Sequence, residues 1–276
     1  MIQGFLRNVQ VMDDDKFRVI LDRLGLSWRG YVKVRKGVKR RIVHHMQELG
    51  CRTVEDYIGV FGEPRILREV ECLMTVSISH FFRDYSLWRV LCEEILPDIV
   101  YRCREVVHVW SAGCALGQEV YSFAMLWDRL RGKIGVLPER QILATDVHPE
   151  YLDKAMKGIY GKSGMKGITE EMKATYFILS ENLSHYRVAD FLKANIEWQI
   201  HDLVKQSPPA RVFQVVFLRN NLLTYYRKEI QEAVCLQIMN CLERGGFLII
   251  GSHEKLPVQT HTLLPFKKSS YIFQKI

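Results

Sequence analysis

Over the first third of the chain, apolar residues recur at intervals of three and four. Phe17, Ile20, Leu21 and Leu24 make one such set, Ile42, His45, Met46 and Leu49 a second, Tyr57, Ile58 and Val60 a third, and Ile66, Val70, Leu73 and Met74 a fourth. That spacing predicts four amphipathic helices between residue 13 and about residue 85, packed as a small bundle. A further helix is expected over residues 85–100. The pattern then changes to short apolar runs at Val106–Ser111, Gln141–Asp146, Ile196–Ile200, Phe213–Leu218, Gly246–Gly251 and Ser270–Gln274. Helical periodicity alternates with these runs, from near Glu119, around Tyr151–Ala155 and over Lys228–Leu242. Strands alternating with helices predict a mostly parallel sheet covered on both faces. The stretch 158–196 is less regular. Thr169 before two glutamates reads as a helix cap, and Tyr176–Leu179 and Tyr186–Val188, across a polar turn, read as a short β-hairpin.

The most informative stretch runs from Val109 to Ser122, where an apolar strand meets a glycine turn and a helix start. Gly113 and Gly117 are suited to the turn, because glycine accepts positive φ and leaves room for a ligand against the backbone. The turn is neither a Gly-x-x-x-x-Gly-Lys-Ser/Thr phosphate loop nor a complete Gly-x-Gly-x-x-Gly, which disfavours nucleoside triphosphates and dinucleotides. The next strand ends on Asp146. In doubly wound sheets an acid at the end of the second strand can accept both hydroxyls of a ribose, although an aspartate ahead of a helix can also simply cap it.

Seven blocks stand out along the chain: Thr75-Val-Ser-Ile-Ser-His-Phe-Phe-Arg-Asp84, Ser111-Ala-Gly-Cys-Ala-Leu-Gly-Gln-Glu-Val-Tyr-Ser122, Ala144-Thr-Asp146, Lys157-Gly-Ile-Tyr160, His201-Asp-Leu203, Phe217-Leu-Arg-Asn220 and Gly251-Ser-His-Glu254. Taken together they resemble the CheR-type chemotaxis receptor methyltransferases. The resemblance extends from about residue 15 to the C-terminus. It implies S-adenosylmethionine as cofactor, with S-adenosylhomocysteine as its product, and O-methylation of receptor glutamates as the reaction. The implied fold is a Rossmann-like class I methyltransferase α/β sheet with an N-terminal all-α bundle and a small inserted β-hairpin. The expected division is a helical docking domain over 1–88 and a methyltransferase domain over 89–276, with the β insertion near 176–195.

Carried onto this sequence, the resemblance implies cofactor contacts from Ser77, Ser79, Arg83, Gly113, Glu119, Asp146, Asp202, Leu203, Arg219 and Asn220. Ser77 and Ser79 stand where the family usually has asparagine and threonine. The Gly-x-Glu-x-Tyr-Ser tail selects Glu119 over Gln118 as the acid facing the cofactor's α-ammonium. Asp202 and Leu203 would border the adenine, with turn capping as the competing role for Asp202. Arg83, Arg219 and Tyr225 are the catalytic candidates. A guanidinium at Arg83 can pair in a bidentate way with a substrate or cofactor carboxylate. Where the family reads Arg-Asn-Val-Leu-Ile-Tyr, this chain reads Arg219-Asn-Asn-Leu-Leu-Thr-Tyr225, so Thr224 holds the tyrosine's position and Tyr225 can replace it only after a local shift.

Composition is compatible with this picture and charge adds to it. The chain has 276 residues, 48% hydrophobic and 25% charged, enough for one substantial core and an accessory domain. Its seven cysteines form no Cys-x-x-Cys, which argues against a disulfide framework or a zinc site, and no histidine set has metal-ligand spacing. With neither a secretion signal nor a membrane-length apolar run, a cytoplasmic location is expected. The net charge of +8 draws heavily on Lys33, Arg35, Lys36, Lys39, Arg40 and Arg41, in a segment expected to be helical from about Gly37. Such a cluster favours an acidic partner. In the resembled family a basic helix faces the acidic helical region of a receptor. Nucleic acid is disfavoured, because stacking aromatics are sparse beyond Trp28 and Tyr31. Two other readings stay open: a catalytically weak or inactive S-adenosylmethionine-binding signalling module, and a methyltransferase for nucleic acid or a small molecule.

Overall fold

The computed structural model describes residues 12–76, 79–103, 105–181 and 184–276, apart from the side chain of Lys268. The chain divides into two compact units. One comprises the chain to Val76 together with Thr224–Gln231, and the other Ser77–Leu223 with Glu232–Ile276.

The first unit is helical. Its elements are α1 (Asp14–Arg23), the single turn α2 (Trp28–Tyr31), α3 (Arg35–Glu48), α4 (Val54–Gly59) and α5 (Pro64–Met74). The predicted stripes form its core: Phe17, Ile20 and Leu21 of α1, Ile42 and Met46 of α3, Tyr57 of α4, and Ile66, Val70 and Met74 of α5 are all buried. Local chemistry sets the helix starts. Asp13 accepts the amide of Lys16 ahead of α1, and Thr53 and Asp56 form a reciprocal capping box at α4. The returning segment is stitched to the 22–27 stretch. The Ser27 amide donates to the Tyr225 carbonyl at 2.7 Å, the Arg227 amide donates to the Gly25 carbonyl at 3.0 Å, and the Arg227 guanidinium bonds Asp22.

The second unit is built on a seven-stranded sheet. Its strands are β1 (Val106–Ala112), β2 (Glu139–Asp146), β6 (Ile196–Ile200), β7 (Phe213–Leu218), β8 (Leu242–Ile250), β9 (Leu263–Pro265) and β10 (Ile272–Lys275), in the order β6-β2-β1-β7-β8-β10-β9. The first five run parallel, and β10 is antiparallel to both β8 and β9. Reversal of strand order on either side of β1 is the doubly wound arrangement, in which ligands bind beyond the carboxyl ends of the strands. The helices are α6 (Tyr85–Val90), α7 (Leu96–Arg102), α8 (Gln118–Ile134), α9 (Pro149–Lys157), α10 (Glu170–Tyr176), α11 (Asp190–Lys193), the single turn α12 (Leu222–Tyr225) that leads into the other unit, and α13 (Lys228–Asn240). A π-helical turn, Leu91–Ile95, joins α6 to α7. Strand β7, apolar except for Gln214, is buried at every position, with Trp88 stacked on Phe217 at 5.8 Å between ring centroids.

Two features differ from the sequence-based expectation. The inserted hairpin is a three-stranded antiparallel sheet, β3 (Ile159–Gly161), β4 (Phe177–Leu179) and β5 (His185–Val188), in the order β3-β5-β4. Its extra strand comes from the Lys157–Tyr160 block. The short edge strand β9 was also not anticipated.

Candidate active site

Four adjacent parallel strands, β6, β2, β1 and β7, deliver the chemistry at their carboxyl ends. The turn after β1 reverses through positive φ at Gly113 (86°), Ala115 (48°) and Gly117 (81°). The amides of Gly113 and Cys114 both donate to the Thr145 carbonyl at 2.8 Å, which ties the turn to β2. Glycine at 113 has a packing reason: a Cβ there would overlap the side-chain amide of Asn221, which donates to the Ala112 carbonyl. The space that the sequence reading assigned to a ligand is filled on that side by Asn221. Gly117 is likewise packed, since a Cβ would lie 2.9 Å from that of Ala155.

Asp146 ends β2 and is 7% exposed. Its carboxylate accepts the Ala115 amide at 2.9 Å and the His148 amide at 3.0 Å. It does not cap α9, whose N-cap is His148 with no side-chain cap bond. Each carboxylate oxygen keeps acceptor capacity for a further donor. Burial pushes the Asp146 carboxyl up from the ordinary aspartate value, and the two amides pull against it. Asp202, after β6, accepts the amides of Val204 and Lys205 at 2.9 and 3.1 Å. That is the turn-capping role considered for it, and Leu203 is half-buried inside the turn.

The densest part of the site surrounds Arg219, which follows β7 with its side chain 3% exposed. Its guanidinium donates to Glu119 at 2.9 Å through Nη1, and through Nη2 to Asp84 at 2.6 Å and to the Arg83 carbonyl at 3.2 Å. Glu119, in the first turn of α8, also accepts the Ser111 hydroxyl at 2.8 Å. The Arg83 carbonyl receives the Trp88 indole N–H at 2.8 Å as well, and the Arg83 side chain is half-buried. Asn220 adopts φ 57°, and its amide and that of Gly251 both donate to Glu254. His80 stands among Arg83, Asp84, Lys166 and Arg219. Burial first, then the neighbouring cations, lower its pKa. Burial also raises the Cys114 thiol well above its usual range, so it is an inert neutral group.

The sequence candidates therefore fall into groups. Arg83, Glu119 and Arg219 are joined by one hydrogen-bond network, while Gly113, Asp146, Asp202, Leu203 and Asn220 occupy strand-end turns. Ser79 is half-buried ahead of the Phe81–Phe82 pair, and Ser77 lies outside the described residues. Tyr225 belongs to the helical unit, with its ring 5.1 Å from that of Tyr31. Sequence reasoning gave no role to Asp84, Asn221, Tyr160 or Glu254. The Tyr160 hydroxyl donates to the Leu116 carbonyl at 2.7 Å and so braces the glycine turn from the insert. Asp84, Tyr160 and Glu254 stood inside blocks that carried the resemblance, and that was the available signal.

The basic residues separate as well. Arg35 and Lys39 pair with Asp14, and Arg41 donates to the carbonyls of Leu73 and Thr75 at the end of α5. Lys33, Lys36 and Arg40, with Arg29, are exposed and make no ion pair or hydrogen bond among the described residues.

A model of the CheR methyltransferase S-adenosylmethionine-binding domain matches residues 77–272. The chain belongs to the CheR methyltransferase family. A chemotaxis protein methyltransferase of Listeria monocytogenes is 30% identical over 240 residues, covering 87% of this chain and 88% of that protein. The putative methyltransferase Cher3 of Pseudomonas putida is 28% identical over 277 residues, covering 95% and 97%. A probable chemotaxis protein methyltransferase of Rhizobium etli is 28% identical over 226 residues, covering 79% and 84%. The family's cofactor is S-adenosylmethionine, and the residues present fit it. Gln118 Oε1 and Arg219 Nε are buried polar atoms without a partner among the described residues, and Asp146 is a buried carboxylate with spare acceptor capacity. No helix among the described residues is long and apolar enough to cross a membrane.

Proposed function

We propose that this chain transfers the methyl group of S-adenosylmethionine to glutamate carboxylates in an acidic helical region of a chemotaxis receptor or receptor-like protein. In this reading residues 1–88 form the docking domain, and residues 89–276 the methyltransferase domain with its β insertion near 176–195. The observation that carries the acceptor assignment is the set Arg29, Lys33, Lys36 and Arg40. These exposed cations make no ion pair or hydrogen bond among the described residues, and Lys36 and Arg40 lie about one helical turn apart on α3, which suits an acidic partner.

The cofactor supplies a methyl group activated by a positively charged sulfur. Attack by an ionised carboxylate needs no general base, so the protein's tasks are alignment and exclusion of water. Arg83 pairs with a carboxylate at the reacting centre, and the buried Phe81 and Phe82 keep water from it. Asp146 accepts the ribose hydroxyls, Glu119 accepts from the α-ammonium, and Asp202 and Leu203 border the adenine. Arg219 and Asn220 close the site opposite the methyl group, and Ser77 and Ser79 supply short hydrogen-bonding side chains.

The test uses S-adenosylmethionine labelled in its methyl group together with receptor signalling fragments. Base-labile label on glutamates is expected. The combined charge reversals Lys33→Glu, Lys36→Glu and Arg40→Glu should raise the acceptor KM about tenfold, with S-adenosylhomocysteine binding unchanged. Absence of base-labile label on every fragment would overturn the proposal. A second reading, a cofactor-binding signalling module with little or no transfer, is favoured by Thr224 at the family's tyrosine position and by the packing of Tyr225 on Tyr31. It predicts cofactor binding without label; transfer by the wild type would exclude it, and gain of label in Thr224→Tyr would support it.

A further inference from the structure

Asp84 is in an unusual position for its residue type. It immediately precedes α6, where an aspartate ordinarily accepts a helix amide, yet its side chain makes no capping bond and its backbone is left-handed, with φ 61° and ψ 68°. That conformation is sterically unfavourable for most non-glycine residues, and aspartate adopts it only occasionally. The carboxylate lies instead 2.6 Å from Arg219 Nη2, and the other arm of the same guanidinium lies 2.9 Å from Glu119. Two carboxylates thus share one cation in a place where Arg219 is 3% exposed, Asp84 24% and Glu119 17%.

The charge balance has a chemical consequence. A lone pair of Glu119 and Arg219 would be neutral and would attract a second cation only weakly. Adding Asp84 makes the trio −1, counted as one positive and two negative groups. Because Asp84 draws on the far arm of the guanidinium, the surplus is available at Glu119. Of the cofactor's two cationic groups, the sulfonium and the α-ammonium, only the ammonium has N–H donors to offer that carboxylate.

We propose that Asp84 is a positioning residue that, by sharing Arg219, leaves Glu119 with the net negative charge that holds the α-ammonium of S-adenosylmethionine. The inference rests on the Glu119 contact proposed above and goes beyond it by assigning the cofactor's amino-acid end a second, indirect determinant. It also accounts for the strained backbone, since φ near 60° is what turns the Asp84 side chain away from α6.

Calorimetric titration of the full chain with two ligands tests this. S-adenosylhomocysteine carries the amino-acid end, and 5′-methylthioadenosine has the same nucleoside without it. Asp84→Asn should weaken S-adenosylhomocysteine about tenfold, equivalent to about 1.4 kcal/mol, and leave methylthioadenosine within about twofold. Asp84→Glu, which keeps the charge, should retain binding of both. Should Asp84→Asn fail to fold, Asp84→Glu and Asp84→Gln, equal in length, carry the same comparison. Equal losses for both ligands, or no loss in the neutral variant, would overturn the inference. Glu119→Gln separates it from the reading beneath it. If that variant weakens S-adenosylhomocysteine while Asp84→Asn does not, only the role of Asp84 fails, whereas unchanged binding in Glu119→Gln removes the Glu119 contact itself.

Discussion

Arg219 reaches Asp84, Glu119 and the Arg83 carbonyl at once, which only a planar fork of donors can do. Lysine is a single point charge and can satisfy one of the carboxylates but not both. Arg219→Lys is therefore expected to lose about 3 kcal/mol of stability, because one carboxylate is left partly buried without its cation; the loss is read from urea denaturation at neutral pH. His80 gives a pH-dependent prediction. Burial and the cations Arg83, Lys166 and Arg219 lower its pKa below 6.5, against the opposing pull of Asp84. A histidine held neutral in the fold stabilises fully above its unfolded-state pKa, and that contribution is lost as pH falls from there toward the folded-state value. Urea midpoints on either side of that window should diverge less for His80→Gln than for the wild type. At this scale the site was partly legible. Arg219, Glu119 and Asp146 stand at strand ends or a helix start, which local pattern reveals. Asp84 and Asn221 also precede helix starts, but what they do in the site is set by contacts to Arg219 and Ala112, 135 and 109 positions away, and no local periodicity encodes such a meeting.

Among the elements, α3 offers a direct test of backbone entropy. Gly37 is exposed within this helix, and a Cβ there would meet nothing within 4 Å. Gly37→Ala should add about 1 kcal/mol. Gly30→Ala should do the reverse, because its Cβ would overlap the Thr224 carbonyl in the same unit. A pair of thermal melts distinguishes the two signs. At the start of α4, Thr53→Ala removes half of the capping box and should cost about 1 kcal/mol. The longer elements were readable because their apolar spacing repeats: the strands Ile196–Ile200 and Phe213–Leu218 were anticipated to the residue. Strands β3 and β9 were not; each is three residues long, and the equally short β4 was legible only through the polar turn to its hairpin partner. β9 exists through its antiparallel pairing with β10, which is a tertiary fact.

For the molecule as a whole, composition and charge pointed to an acidic partner without saying which cations are available to meet it. Of the six predicted docking residues, Arg35 and Lys39 pair with Asp14 and Arg41 holds carbonyls. Their charge is largely used within the fold. The acceptor KM should accordingly rise about threefold between about 50 and about 300 mM salt as the exposed set is screened, with kcat nearly constant. Arg41→Gln should act mainly on stability, by leaving the end of α5 uncapped. The mostly parallel sheet was legible from strand and helix alternation, while its strand order is a tertiary fact. The incorporation of Thr224–Gln231 into the helical unit was not, because its polar, tyrosine-rich sequence reads as an ordinary approach to α13.

That incorporation bears on how the chain could be recombined with its relatives. The helical unit is discontinuous in sequence, and the Leu26 to Tyr226 bridge and the Arg227 bonds to Asp22 are part of its own packing. A chimera that exchanges residues up to Val76 alone would fit a foreign helical unit to a native 224–231 segment that evolved with another partner. Exchanging both stretches together keeps the unit's own complementarity. On the proposed docking role, acceptor preference is expected to move between this chain and a relative only when both stretches are exchanged, and to be lost when the first is moved alone.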